Sequence, residues 1–176
     1  MLLVELYTSL EVYAMDRISK ENYYLDIAQT VASRSTCLRR KYGAIIVGND
    51  IIISTGYNGA PRGRKNCCDI GSCMRESLNI PRGERYEMCR SLHAEQNAII
   101  AASPERMQGA VLYLACVDAK TGSLIGGTCS CQMCKRFVIN AGISKVIVRD
   151  TADEYTVFDV NDWIVNDDSL TGKFGY

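Results

Sequence analysis

The stretch CQMCKRFVINAGISKVIV, residues 131–148, decides the fold of this 176-residue chain. Its first part, 131–141, repeats apolar residues at helical spacing, and Gly142 is suited to end the helix. The β-branched run at 145–148 predicts a strand, and the apolar run at 110–115 predicts another strand upstream. A strand, a helix and a strand in this order form a parallel pair with a right-handed crossover. The sequence therefore predicts an α/β fold.

The other periodic segments extend this unit on both sides. They predict helices at 20–34, 93–102 and 159–165, a β-hairpin at 43–56 and a short strand at 155–158. The first hairpin strand is apolar throughout, which is typical of a strand inside a sheet. We expect a three-layer α/β/α architecture, in which helices cover both faces of a mixed, about five-stranded sheet.

Three segments depart from regular periodicity. Residues 1–18 are interpreted as a short N-terminal extension, and 19–176 as a single domain. Residues 57–91 are rich in Gly, Pro, Arg and Cys, and they are too long for an ordinary loop, so we expect a functional or metal-tied insertion. The excursion at 116–128 contains a Lys-Thr-Gly turn and predicts a second hairpin.

Composition limits the classes of protein to which the chain can belong. Twenty Lys and Arg balance twenty Asp and Glu, so the net charge is zero and a nucleic-acid partner is disfavoured. The apolar runs are far shorter than the roughly 18 residues of a membrane helix, and the N-terminus lacks a basic secretory region. We therefore expect a cytoplasmic protein without a membrane partner. Nine cysteines in such a chain indicate metal ligands or catalytic thiols before disulfides.

The single histidine and two of the cysteines stand at the starts of two predicted helices. His93 and Glu95 open one helix, and Cys131 and Cys134 open the other. Cysteines three residues apart in a first turn face the same way, and the helix N-terminus favours their metal-binding thiolate form. One imidazole and two thiolates make a zinc site whose fourth position stays open, as at catalytic zinc. Glu95 is predicted to be the acid/base beside the metal.

The HAE of residues 93–95, followed by the C-x-x-C of 131–134, is the signature of zinc-dependent nucleobase deaminases. The runs HAEQNAII, GYNGAPRG and CRSLHAE, together with the unit at 131–148, resemble the deoxycytidylate (dCMP) deaminase family of the cytidine deaminase-like superfamily. The resemblance covers residues 19–150 and implies the cytidine deaminase-like sheet. Two features depart from the family pattern, namely Ser130 in place of a proline and the length of the 116–128 excursion.

The resemblance implies hydrolytic deamination of dCMP to dUMP with release of ammonia. Zinc held by His93, Cys131 and Cys134 lowers the pKa of a bound water, and Glu95 takes its proton, so that a hydroxide attacks C4 of the cytosine. Glu95 then delivers protons to N3 and to the departing amine. The resemblance also implies a small-molecule nucleotide substrate, a homo-oligomer, and magnesium bound with a nucleotide effector.

A second group of cysteines is concentrated in the aperiodic segment. A structural zinc bound by three or four thiolates would fold this segment over the sheet. The candidate ligands are Cys37, Cys67, Cys68, Cys73 and Cys89. Some phage members of the resembled family carry a second zinc in this region. The alternatives are a set of reduced buried cysteines or a disulfide formed on purification.

The resemblance also suggests substrate contacts. Asn58 matches the family position that contacts the sugar, although Asn before Gly also serves a turn. Arg34, Arg62 and Arg64 are the nearest candidates by family layout for the phosphate, because a guanidinium donates two hydrogen bonds to one anion. Tyr113 could line the base pocket, and core packing explains it equally well.

Two other interpretations fit parts of the sequence. A deaminase of another substrate, such as dCTP, cytidine, guanine or a tRNA or DNA base, uses the same zinc site, but polynucleotide editing needs a basic groove that the neutral composition does not supply. A structural zinc-binding assembly module explains the cysteines alone. Glu95 favours an enzyme, since a structural site has no use for a carboxylate beside an open metal position.

Overall fold

The computed structural model describes residues 17–81 and 83–167, so the predicted N-terminal extension lies outside the described residues except for its last two positions. The described helices are α1 (Lys20–Ala32), α2 (Cys67–Ile70), α3 (Met74–Ser77), α4 (Ala94–Ile100), α5 (Pro104–Met107), α6 (Gln132–Asn140) and α7 (Val160–Val165), with a 3₁₀ turn at Tyr86–Met88. The described strands are β1 (Arg40–Gly48), β2 (Ile51–Tyr57), β3 (Val111–Asp118), β4 (Lys145–Arg149) and β5 (Tyr155–Asp159).

These strands form one mixed five-stranded sheet in the order β2-β1-β3-β4-β5. β1 pairs antiparallel with both β2 and β3, and β4 pairs antiparallel with β5. β3 and β4 are parallel and are joined through α6, as the strand–helix–strand pattern predicts. The sheet confirms the predicted α/β fold.

Apolar side chains cover both faces of the sheet. Along β1, Ala44 and Ile46 belong to one core cluster while Ile45 and Val47 belong to the other, because successive strand residues point to opposite faces. α4 and α6 pack on the first face, and α1 packs on the second. A strand segment buried on both faces is apolar throughout, which is the pattern that residues 43–47 of β1 show in the sequence. The three layers confirm the predicted α/β/α architecture.

Two helices approach the sheet closely at glycines. A Cβ on Gly43 would overlap the α1 backbone at Ala28, and a Cβ on Gly56 would overlap the α4 backbone at Ala94. Glycine in a strand interior commonly marks such a close backbone approach. Gly56 thus sets the distance between β2 and α4, the helix that begins directly after His93.

The excursion at 116–128 folds back as the predicted hairpin, although its returning arm pairs with β3 over only a few residues. β3 continues to Asp118, whose side chain accepts a hydrogen bond of 2.9 Å from the backbone amide of Lys120. Val117 then pairs with Leu124 in a single antiparallel bridge. The carboxylate-stabilised turn therefore leads into irregular backbone in place of a regular second strand.

The segment at 57–91 is irregular apart from its short helices and the 3₁₀ turn. Its two ends meet, because Gly59 pairs with Leu92 and the Arg90 side chain donates a 2.8 Å hydrogen bond to the Lys65 carbonyl. This closure brings the end of the segment to the start of α4.

Within the described residues, no helix combines the length and apolar character needed to cross a bilayer.

Candidate functional site

His93, Cys131 and Cys134 meet where two helices begin. His93 is the residue before α4, and Cys131 is the residue before α6. His93 Nδ1 lies 3.4 Å from the Cys131 sulfur and 3.3 Å from the Cys134 sulfur. Among the described residues, these three form the one group of ligand side chains whose donor atoms all lie within 4.8 Å of one another. The backbone amide of His93 donates to Gln96 Oε1 at 2.8 Å, which fixes the start of the helix.

This donor set fits zinc. Tetrahedral zinc, at about 2.0–2.1 Å from nitrogen and about 2.3 Å from sulfur, separates the two donor atoms by roughly 3.5 Å. The observed nitrogen–sulfur distances of 3.3 and 3.4 Å are close to that value. A hydrogen bond from the Cys134 thiol lowers the pKa of Cys131, and the same bond together with burial raises the pKa of Cys134. Three protein ligands leave one tetrahedral position for a small molecule.

Glu95 lies in the first turn of α4, beside the three ligand side chains. It is 4% exposed. Burial raises the pKa of its carboxyl group, and the nearby positive charge of His93 opposes this shift. A carboxyl group with a raised pKa at this position suits acid/base chemistry beside the metal.

A cavity of about 940 Å³, counting the part that is open to solvent, joins this cluster to the segment at 57–91. Glu95 is the only acidic side chain among the described residues of the lining, whereas three arginines line the cavity. These are Arg39, Arg40 and Arg75. The excess of positive charge favours an anionic ligand.

Asn58 lines the same cavity, and its side-chain amide already bonds to β1 and to the loop after α1. Its Oδ1 accepts hydrogen bonds from the Ser35 hydroxyl and from the Tyr42 amide at 2.8 Å. Its Nδ2 donates to the Arg40 carbonyl at 2.9 Å. The oxygen thus uses both lone pairs on protein groups, while the nitrogen keeps one N–H that could serve a ligand.

The structure does not bring four other predicted contacts to the cavity. Tyr113 lies on the α1 face of the sheet, with its ring centroid 5.0 Å from that of Tyr24, because strand alternation turns it away from α4 and α6. It is a core residue, which corrects its assignment to the base pocket. Arg34, Arg62 and Arg64 are exposed and lie outside the cavity lining, so their role as phosphate donors stays a prediction.

Several cavity residues were not predicted from the sequence. Arg39 and Arg40 precede the apolar part of β1, and the hairpin register brings that end of β1 near Asn58. This register was the signal that could have identified them. Arg75 and Tyr86 belong to the aperiodic segment, where no local pattern marks a cavity residue.

Four of the five cysteines predicted to bind a second metal share one neighbourhood. Cys37, Cys73 and Cys89 line the cavity, and all three interact electrostatically with the buried Cys67. Burial raises the pKa of both Cys67 and Cys89. Within the described part of the chain, no three of their sulfur atoms lie within 4.8 Å of one another, as the donor atoms of the first cluster do. Cys68 is exposed, and its thiol turns to the carboxylate of the next residue.

Comparison with known proteins gives consistent matches. Residues 18–150 match the family described as the cytidine and deoxycytidylate deaminase zinc-binding region. Deoxycytidylate deaminase from Schizosaccharomyces pombe is 35% identical over 132 residues, which cover 74% of this chain and 37% of that protein. Deoxycytidylate deaminase from Mycobacterium phage D29 is 33% identical over 138 residues, which cover 76% of this chain and 96% of that protein. The chain thus spans less than two fifths of the length of the S. pombe relative.

A solved structure supports the same relationship. The crystal structure of dCMP deaminase from the cyanophage S-TIM5 in complex with dCMP and dUMP is similar, with a TM-score of 0.52 and 28% sequence identity. The similarity covers 77% of this chain and 85% of the cyanophage chain. Since the family match extends over most of the chain and includes both helix starts of the metal cluster, the chain belongs to the cytidine and deoxycytidylate deaminase family.

Proposed function

We propose that this chain is a zinc-dependent deaminase that hydrolyses dCMP to dUMP and releases ammonia. The observation that carries the proposal is the meeting of an imidazole nitrogen and two sulfurs within 4.8 Å, beside a buried carboxyl group. The relatives from S. pombe and phage D29 are deoxycytidylate deaminases, and the cyanophage enzyme was crystallised with dCMP and dUMP. The arginine-lined cavity supports a nucleotide as the substrate.

The ligand side chains and Glu95 divide the chemistry between them. His93, Cys131 and Cys134 would hold zinc, which supplies Lewis-acid activation of water when it is bound. Glu95 takes one proton from the attacking water, whose oxygen bonds to C4 of the cytosine, and gives that proton to N3. The carboxyl group then moves the second water proton to the amino group at C4. The bond from C4 to this nitrogen breaks, and ammonia leaves.

The test is ammonia release by the purified zinc-loaded chain from dCMP, dCTP, deoxycytidine, CMP and guanine, each assayed separately. We expect dCMP to be the preferred substrate, and we expect a chelator to abolish turnover until zinc is restored. Preference for another substrate would support the alternative deaminase interpretation. A zinc-loaded chain that releases no ammonia from any of them would support the assembly module.

We also propose that Cys37, Cys67, Cys73 and Cys89 bind a second, structural zinc. The proximity of these thiols to one another and the position of Cys37, Cys73 and Cys89 at the cavity support this choice. The exposure of Cys68 argues against its participation. Four thiolates at these positions would tie the loop after α1 to the two short helices and to the approach to His93. Such a tie explains how an aperiodic segment holds a fixed conformation.

A pair of serine variants tests this second site. Cys73→Ser should lose about one zinc per chain, unfold at a lower temperature and keep some activity, because the metal organises the segment without contacting the base. Cys68→Ser is the matched control, since Cys68 is a neighbouring but exposed thiol, and it should keep the zinc content of the unmodified chain. Equal zinc content in both variants, measured by atomic emission, would contradict the second site.

Several further properties of the chain stay predictions. The free N–H of Asn58 is suited to a contact with the sugar of the substrate. A single domain over 19–176, a homo-oligomeric state, a cytoplasmic location and magnesium bound with a nucleotide effector follow from the sequence and from the family resemblance.

A further inference from the structure

Arg75 is a buried cation in the wall of the candidate active-site cavity. It lies in α3, within the irregular segment, and is 4% exposed. It lines the same cavity as His93 and Glu95. Arginine is almost never buried to this extent unless an anion or a set of hydrogen-bond acceptors compensates its charge.

The contacts of Arg75 within the protein are incomplete. Its Nη2 donates a 2.7 Å hydrogen bond to the carbonyl of Pro81. Among the described residues, its buried Nη1 has no hydrogen-bond partner, and no carboxylate forms an ion pair with it. A buried guanidinium in this condition lacks both a counter-ion and a partner for one of its nitrogens, which is a costly arrangement unless a ligand completes it.

One aromatic ring links Arg75 to the metal ligands. The guanidinium carbon lies 4.5 Å from the ring centroid of Tyr86. The same ring packs edge-to-face against His93, with 4.9 Å between their centroids. The cation and the metal-ligand imidazole therefore contact one tyrosine ring, which fixes the position of the cation relative to the reaction centre.

The other two arginines of the cavity already have protein partners. Arg39 forms a 3.3 Å ion pair with Glu76, and Arg40 interacts with the Tyr42 side chain. Among the described residues, Arg75 is thus the cavity arginine with a buried nitrogen that has no hydrogen-bond partner. Because a nucleotide carries its reacting base and its phosphate at opposite ends, an anion site displaced from the metal ligands has the arrangement that a nucleotide requires.

We propose that Arg75 binds the 5′-phosphate of the substrate and makes the enzyme prefer a nucleoside monophosphate to the corresponding nucleoside. The proposal rests on the proposed deaminase function and adds the residue that determines this preference. The phosphate oxygens supply the acceptor that Nη1 lacks, as well as the counter-ion for the buried charge.

The test compares dCMP with deoxycytidine in Arg75→Met and Arg75→Lys variants. In Arg75→Met, kcat/KM for dCMP should fall by about 10- to 100-fold, the range that one hydrogen bond to a charged group supplies, while kcat/KM for deoxycytidine stays within a few-fold. Arg75→Lys keeps the charge but loses the planar donor pair, and it should show a smaller fall that appears mainly in KM. Arg106→Met, an exposed arginine of α5 outside the cavity lining, is the control and should change neither value.

The zinc content and the melting temperature of each variant identify those that are folded. If Arg75→Met loses its fold, Arg75→Lys decides the question through the same ratio of the two substrates. An unchanged ratio in a folded variant, or a parallel fall for dCMP and deoxycytidine, would overturn the role of Arg75 alone. Failure of the unmodified chain to deaminate dCMP would instead contradict the proposed function.

Discussion

Glu95 occupies a position that only a reactive site explains. The residue is 4% exposed, so its carboxyl group has lost most of its hydration. Burial raises its pKa, and the adjacent cluster of one imidazole and two thiols can hold a metal with an open position. A closed structural zinc site gains nothing from a carboxyl group at this place, whereas hydrolysis needs a group that carries protons between water and base.

Replacing Glu95 by glutamine tests this role directly. Glu95→Gln keeps the shape of the side chain but cannot carry a proton, so zinc should remain bound while turnover of dCMP falls on the order of 10²- to 10⁴-fold. The measurement is kcat for dCMP with parallel zinc analysis. Near-normal turnover by a zinc-loaded Glu95→Gln enzyme would exclude Glu95 from the mechanism.

At the scale of elements, α4 depends on its contact with β2. The helix has only seven residues, which is too short to be stable by itself in water. Its backbone packs directly over Gly56, where even a methyl group would overlap Ala94 and Ala98. Because His93 precedes α4 and Glu95 lies in its first turn, this contact positions both groups.

A methyl group at Gly56 should therefore disturb the site through the backbone of α4. Gly56→Ala should lower the stability by about 1–3 kcal/mol, the usual cost of overpacking, and should also reduce both zinc affinity and kcat. Gly43→Ala introduces the same kind of overlap against α1, on the opposite face of the sheet, and should lower stability with little change in zinc affinity. Urea unfolding and zinc titration measure the two effects. Equal zinc affinity in the two variants would contradict the positioning role of Gly56.

Long periodic elements could be predicted from the sequence, whereas the single-turn helices could not. The strands and α6 could be predicted because burial on a sheet or a helix face imposes a period on the sequence. The helices at 67–70 and 74–77 are single turns held by side-chain contacts, such as that of Arg75 with the Pro81 carbonyl, and a single turn leaves no period to detect. The cluster of His93 with the two cysteines could be predicted because each motif begins a periodic helix. The hairpin register could also have identified Arg39 and Arg40. Arg75 could not be predicted, since it lies in the aperiodic segment, where no local pattern marks a cavity residue.

At the scale of the whole molecule, the metal cluster and α1 lie on opposite faces of the sheet. The metal cluster lies at the starts of α4 and α6, while α1 packs on the other face. Arg149 at the end of β4 is 3% exposed and ties α1 to the sheet by hydrogen bonds to Asp26, to Gln29 Oε1 at 2.9 Å and to the Asn22 carbonyl at 3.2 Å. Asp26 supplies the negative charge that balances this buried guanidinium.

Removing that negative charge should weaken the whole fold without changing the reaction. Asp26→Asn leaves Arg149 buried without its counter-ion, and we expect a loss of about 1–2 kcal/mol, which is modest for a buried cation because the Asp26 side chain is 53% exposed. Lys20→Met is the control, since the 3.1 Å ion pair of Lys20 with Asp50 is exposed on both sides and should contribute less than about 1 kcal/mol. Denaturant unfolding measures the stabilities, and kcat for dCMP, measured well below the melting temperature, should equal that of the unmodified enzyme in both variants. A fall in kcat for Asp26→Asn under those conditions would show that the α1 layer is coupled to the site through the sheet.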